Sequence, residues 1–130
     1  VRMRTHSLIL LVFAGFIISF VSTEGVSENR AEQTKQIELL LDRIEAMQGV
    51  VFIRNGKEYS SNKAADHLRL KWKKAGRRIE TAEDFIELCG SRSSISGQPY
   101  KIRFPDGRLE DSAVILKELL KEIERSKENR

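Results

Sequence analysis

A chain of 130 residues, 40% hydrophobic and 32% charged, has the apolar material for one modest core, which argues against both low-complexity disorder and a many-domain enzyme. One Cys, two His and two Pro argue against a disulfide scaffold and against a transition-metal centre, which needs about four close ligands. Basic residues outnumber acidic ones 23 to 19, a net charge of +4 that favours anionic partners.

Arg2, Arg4 and His6 precede an apolar run over residues 8–21, and Ser22, Thr23, Glu24 and Gly25 follow it. This is the layout of a secretory signal peptide. The run is shorter than the roughly 20 residues that span a bilayer as a helix. The expectation is therefore export, with cleavage after Gly25, and a mature single domain over 26–130 without a transmembrane span. No Cys follows the run, which closes the lipoprotein route, so the expected location is periplasmic. Cys89, at a helical apolar position beside Phe85 and Ile86, reads as a buried small hydrophobe.

Ile37, Leu40, Leu41, Ile44 and Met47 mark one face of a helix over 27–48, with frayed first turns, ended by Gly49. Asn55-Gly56 is flanked by segments 50–53 and 57–59 and predicts a two-residue hairpin with Arg54 opposite Lys57 and Phe52 opposite Tyr59. A second helix starts with Ser60 or Ser61 as N-cap, stops at Gly76, and buries Ala64, Ala65, Leu68, Trp72 and Ala75. Trp72 is expected to lie largely buried against the sheet. Thr81 to Asp84 resembles a capping box for a third helix that Gly90 closes, followed by a Ser-rich ordered loop. Tyr100, Ile102 and Phe104 alternate with Lys101 and Arg103 as a strand with one wet face, and Pro105-Asp106-Gly107 makes a turn. Asp111 or Ser112 caps a last helix bearing Leu116, Leu119, Leu120 and Ile123, with fraying expected from Arg125. The predicted fold is a small α+β domain, about four helices packed on a minimal antiparallel sheet of two short hairpins.

The pieces F-x-R-N-G, H-L-R-L-K, T-A-E-D-F-I and S-S-x-S-G-x-P-Y occur in that order between Phe52 and Tyr100. In them the chain resembles the YfeK-like family of small exported bacterial proteins. The resemblance implies export and a single domain; the family has no assigned activity, so it implies no site residues.

Chemistry must come from the residues themselves. Lys63, Arg69, Lys71, Lys73, Lys74, Arg77 and Arg78 face Asp66 alone, a basic segment that attracts anions over about 8 to 10 Å in physiological salt. An ordinary solvated helix face has the same composition. His67 lies at the margin of the apolar stripe of the second helix, where it reads as a half-buried ring bonded to a carbonyl or hydroxyl. As a general base it would need a partner, and Tyr59, Arg54 and Glu58 are nearest in sequence. Ser60-Ser61-Asn62-Lys63 matches S-x-x-K but lacks the companion motifs S-D-N and K-T-G, so helix capping explains it. On the hairpin, Phe52, Arg54, Lys57 and Tyr59 share one side; with the aromatics inward, Arg54 and Lys57 rim the turn.

These readings converge on an exported, non-enzymatic binding or interaction module contacting an anionic cell-envelope component or another exported protein. Arg54, Lys57, Arg69, Lys73 and Arg77 are its expected ligand-binding residues, with no cofactor, metal or nucleic acid. The alternative is a small hydrolase with His67 as base and Tyr59 or Ser60 nearby.

Overall fold

The computed structural model describes residues 24–129; the expected signal segment before Glu24 lies outside the described residues. Helix α1 (Glu24–Glu45) leads into a hairpin of β1 (Val51–Arg54) and β2 (Lys57–Tyr59), then α2 (Ser61–Ala75). A short 3-10 turn at Gly76–Arg78 precedes α3 (Ala82–Phe85), which runs on as a π turn over Ile86–Gly90. Strands β3 (Lys101–Arg103) and β4 (Leu109–Asp111) form the second hairpin, and α4 (Ser112–Glu128) follows directly.

The two hairpins join into one antiparallel sheet of order β2-β1-β3-β4. The join is the β1–β3 pairing, in which Phe52 faces Ile102. The first hairpin has the predicted register, Phe52 opposite Tyr59 and Arg54 opposite Lys57. Its turn needs two left-handed residues, and Asn55 (φ 50°) and Gly56 (φ 72°) supply them. Helices cover the face bearing Phe52 and Ile102. The other face carries the ion pairs Arg103–Glu58 and Lys101–Asp111, solvent-exposed and therefore worth little individually.

Leu40, Ile44, Phe85, Ile86, Ile102, Leu116 and Cys89 are the largest fully buried side chains, so every helix except α2 contributes a residue to the centre. Helix α2 docks through Ala64, Ala65 and Leu68. The caps follow the sequence: Ser60 Oγ accepts from Lys63 N, Gly76 (φ 56°) ends α2, and Thr81 and Asp84 form a reciprocal capping box. Gln33 of α1 adds its Oε1 to the backbone N–H of Ala82 at 2.8 Å, tying α1 to the start of α3. Asp111 occupies the N-cap position of α4 without a side-chain cap bond, its carboxylate being drawn to Lys101.

Several expectations are corrected. Helix α1 runs from Glu24 to Glu45, so its early turns are helical and its end falls short of Gly49. Helix α4 continues to Glu128 instead of fraying at Arg125, because its end lies along α1, where Arg43 pairs with Glu122 at 3.5 Å and Lys127 with Glu32. Trp72 is half-buried, and its indole meets the edge of Phe85 on α3 at 5.9 Å between centroids, not the sheet. It sits beyond the last α2 residue, Leu68, that is fully packed, where the helix passes over α3.

Phe85 is completely buried, and Phe85→Ala should cost about 3 to 5 kcal/mol. Trp72→Ala should cost roughly half as much, about 2 kcal/mol, because only part of the ring leaves water. Urea denaturation of the two variants beside wild type checks the order.

Candidate functional site

The register of the first hairpin places Arg54 on the same face as Phe52 and Tyr59, above the N-terminal half of α2. On α2, residues one helical turn apart share a flank, so Lys63, His67, Lys71 and Lys74 line up toward the sheet. Tyr100 enters from the other side. Its N–H donates to Ser91 O and its C=O accepts from Ser112 N, both at 2.9 Å, so the start of β3 is clamped between the π turn and α4.

These elements enclose a pocket of about 130 Å³. Phe52, Ala64, Leu68, Gly90 and Leu116 form its apolar interior, and Arg54, Tyr59, Lys63, His67 and Tyr100 surround its polar end. Gly90 lets Leu116 pack against the π turn, since a Cβ there would lie 2.4 Å from Leu116 Cδ1. The π turn that delivers Gly90 is closed by Ser91 Oγ donating to Ile86 O at 2.7 Å. Among the described residues, no Asp or Glu lines the pocket.

Arg54 lies across the polar end. Its Nη1 is 2.8 Å from His67 Nδ1 and 2.7 Å from Nε2, and its Nη2 donates to Tyr59 Oη at 3.4 Å. Its guanidinium also covers the Tyr59 ring at 5.2 Å. A guanidinium only donates, so the imidazole must present a lone pair and is neutral. Nη1 stands against both ring nitrogens, so either can accept from Arg54, and Nε2 also lies 3.4 Å from Tyr100 Oη. Lys71 Nζ donates to Arg92 O at 3.0 Å and to Tyr100 Oη at 3.3 Å.

The electrostatics follow from burial and from the excess of cations. Burial, then the charges of Arg54, Lys71 and Lys74, holds the His67 pKa below its ordinary value. Burial likewise lowers Lys71 and raises the phenol of Tyr100. The Cys89 thiol, fully buried behind the π turn as expected, is pushed up by the same desolvation. It is a core residue rather than a reactive one.

Of the expected binding residues, only Arg54 reaches this pocket, and it bridges to His67 rather than rimming the turn. Lys57 is exposed at the hairpin tip. Arg69 occupies the opposite flank of α2, facing α1, bound to Glu45 at 2.7 Å and to Asp66 at 3.3 Å. Lys73 follows on that flank and Arg77 lies in the 3-10 turn, both exposed. The structure thus divides the basic segment between two sides of a helix. Tyr59 joins the site through Arg54, whereas Glu58 turns to Arg103. Ser60 is committed to capping.

Lys63 and Lys71 belong to the basic segment but not to the expected binding residues, and Tyr100 was expected only as a strand residue. Lys71 had a readable signal, its position one turn beyond His67. Tyr100 had none, because its approach depends on long-range strand pairing.

Among the described residues no helix is long and apolar enough to cross a membrane, and no three His, Cys, Asp or Glu residues cluster as metal ligands. Residues 31–124 match a family of unknown function, DUF5329, and the chain belongs to that family. It is 39% identical over 70 residues to the uncharacterized protein YfeK of Salmonella typhimurium, an alignment covering 54% of this chain and 58% of that protein. The chain therefore spans less than two thirds of that relative. No solved structure matches it.

A neutral His67 has a consequence for stability. Between its lowered native pKa and the ordinary value of 6.5, the unfolded chain binds a proton that the folded chain does not. Its contribution is therefore complete above about pH 6.5, declines as pH falls below that value, and levels off once the folded imidazole protonates. Asp84, held low by the N–H groups of Glu80 and Thr81, loses its own contribution only at lower pH, beneath 3.8. The difference in melting temperature between wild type and His67→Gln should thus change below pH 6.5 and stay constant from pH 7 to 8.

Proposed function

We propose that this chain is an exported, non-enzymatic binding module that captures an anion from the cell envelope at the polar end of the His67 pocket. The observation that carries this reading is the charge balance there: Arg54, Lys63 and Lys71 gather around a neutral imidazole, and no carboxylate lines the pocket among the described residues. Unbalanced cations beside an apolar interior favour a negatively charged ligand. The guanidinium of Arg54 suits it best, since Nη2 makes only a 3.4 Å bond and retains donors in a planar fork.

A hydrolase would place a different group against His67. A general base is commonly oriented by an acceptor on its N–H and keeps its lone pair for the substrate. Here the lone pair faces the donor Arg54, and the Ser60 hydroxyl serves the α2 backbone.

An anion beside His67 would counter Arg54 on β1 and Lys71 and Lys74 on α2, with only the neutral phenols of Tyr59 and Tyr100 otherwise facing the ring. Binding should therefore raise the imidazole pKa and, by linkage, tighten as pH falls from 7 toward 5.5. NMR titration with sodium acetate against sodium chloride at equal ionic strength checks this. Acetate should move the His67 ring resonances saturably, and Arg54→Gln should weaken that response at least about tenfold. Lys57→Gln should leave it unchanged. An unaltered response in Arg54→Gln would remove the proposal.

Export rests on the basic, apolar and small-residue succession over residues 2–25. Residues 1–30 fused to a leaderless alkaline phosphatase should give phosphatase activity outside the cytoplasm. Substituting Leu10 and Leu11 by Arg should abolish it.

A further inference from the structure

The charged end accounts for only part of the pocket. Beside it lies an apolar interior bounded by Phe52, Ala64, Leu68 and Leu116, where the Ser112 hydroxyl is committed to Gly90 O. We infer that the ligand is a small monocarboxylate whose carboxylate meets Arg54 and whose apolar tail of a few carbons fills this interior.

This inference rests on the anion reading above and adds the other half of the molecule. The volume bounds the whole ligand: the pocket, polar end included, is about 130 Å³, less than the roughly 150 Å³ engineered cavity that holds benzene. Leu68 and Leu116, themselves buried, line the interior, and a space of this volume is filled within a few carbons, too few for the acyl chain of a membrane lipid. The head is set by the donors. Arg54 offers a planar fork that matches two carboxylate oxygens, and the hydroxyls of Tyr59 and Tyr100 stand beside it on separate strands. Charge and cavity are thus arranged in series, the order of groups in a short organic acid.

The test is a binding series by calorimetry: acetate, butyrate, hexanoate, phenylacetate and decanoate, with 1-hexanol and hexylphosphonate as controls. Affinity should rise about fourfold for each added CH2 up to hexanoate, the transfer free energy of a methylene expressed as a ratio. Phenylacetate should bind as well as hexanoate, and decanoate no better. Ala64→Leu, which grows into the interior, should flatten the series. If the variant fails to fold, the wild-type series still decides.

A flat series with acetate binding still dependent on Arg54 would overturn this inference and leave the anion reading standing. Hexanol binding as tightly as hexanoate would overturn the anion reading itself. Hexylphosphonate binding tenfold tighter than hexanoate would overturn the carboxylate head.

Discussion

The pairing of β1 with β3 is the constraint on which the rest of the arrangement depends. Each hairpin is local, closed by its own turn, and a lone two-stranded hairpin is marginal in water. Setting Phe52 opposite Ile102 merges them and closes a loop containing all of α2 and α3. That closure brings Tyr100, at the start of β3, beside Arg54 and His67. The chain sets the position twice more, through the backbone bonds of Tyr100 to Ser91 and Ser112. Much of the order in the second half of the chain therefore converges on one phenol.

Helix α2 translates this framework into electrostatics. Its buried stripe is narrow and uses alanines, so the helix lies close to the core and its two flanks face different neighbours. The flank toward α1 meets Glu45, which neutralises Arg69. The flank toward the sheet meets Arg54, Tyr59 and Tyr100, none of them acidic. Residues with the same formal charge in the same short segment thereby acquire opposite roles, an ion-paired prop on one side and an uncompensated cationic rim on the other. Net charge summed along the sequence cannot distinguish them.

What the sequence discloses follows the same division between local and long-range effects. The Asn55-Gly56 turn, the Ser60 cap, the Gly76 stop and the Thr81 capping box are set by residues within one turn of each other, and all are present. The hairpin register put Arg54 on the side of the aromatics, and helical spacing put His67 at the edge of the apolar stripe. Their meeting required the docking angle of α2 on the sheet, which no periodicity encodes. The misplacement of Trp72 has the same origin: the stripe marks it as inward, but inward at that end of α2 means toward Phe85. Helix α4 outlasting its apolar pattern is likewise tertiary, since Lys127 has its partner on α1.

The energetics of the pocket bear on why such a small fold would retain it. A space of 130 Å³ that was wholly apolar and enclosed would cost about 3 kcal/mol at about 24 cal/mol per Å³, and this pocket, with its polar mouth, costs less. A domain of this size has roughly 5 to 15 kcal/mol in all. The void is also not an accident of one poorly fitting side chain. Ala64 lines it with a small side chain, and the π turn, a rare helical distortion that recurs at functional sites, brings Gly90 to its wall. A larger residue at position 64 would fill the space with an ordinary aliphatic core and recover the lost contacts. An alanine and a π turn thus border the same space beneath the same unbalanced cations. Close packing of Leu116 accounts for Gly90, whereas a bound apolar acid would fill the space beside Ala64 and neutralise its rim.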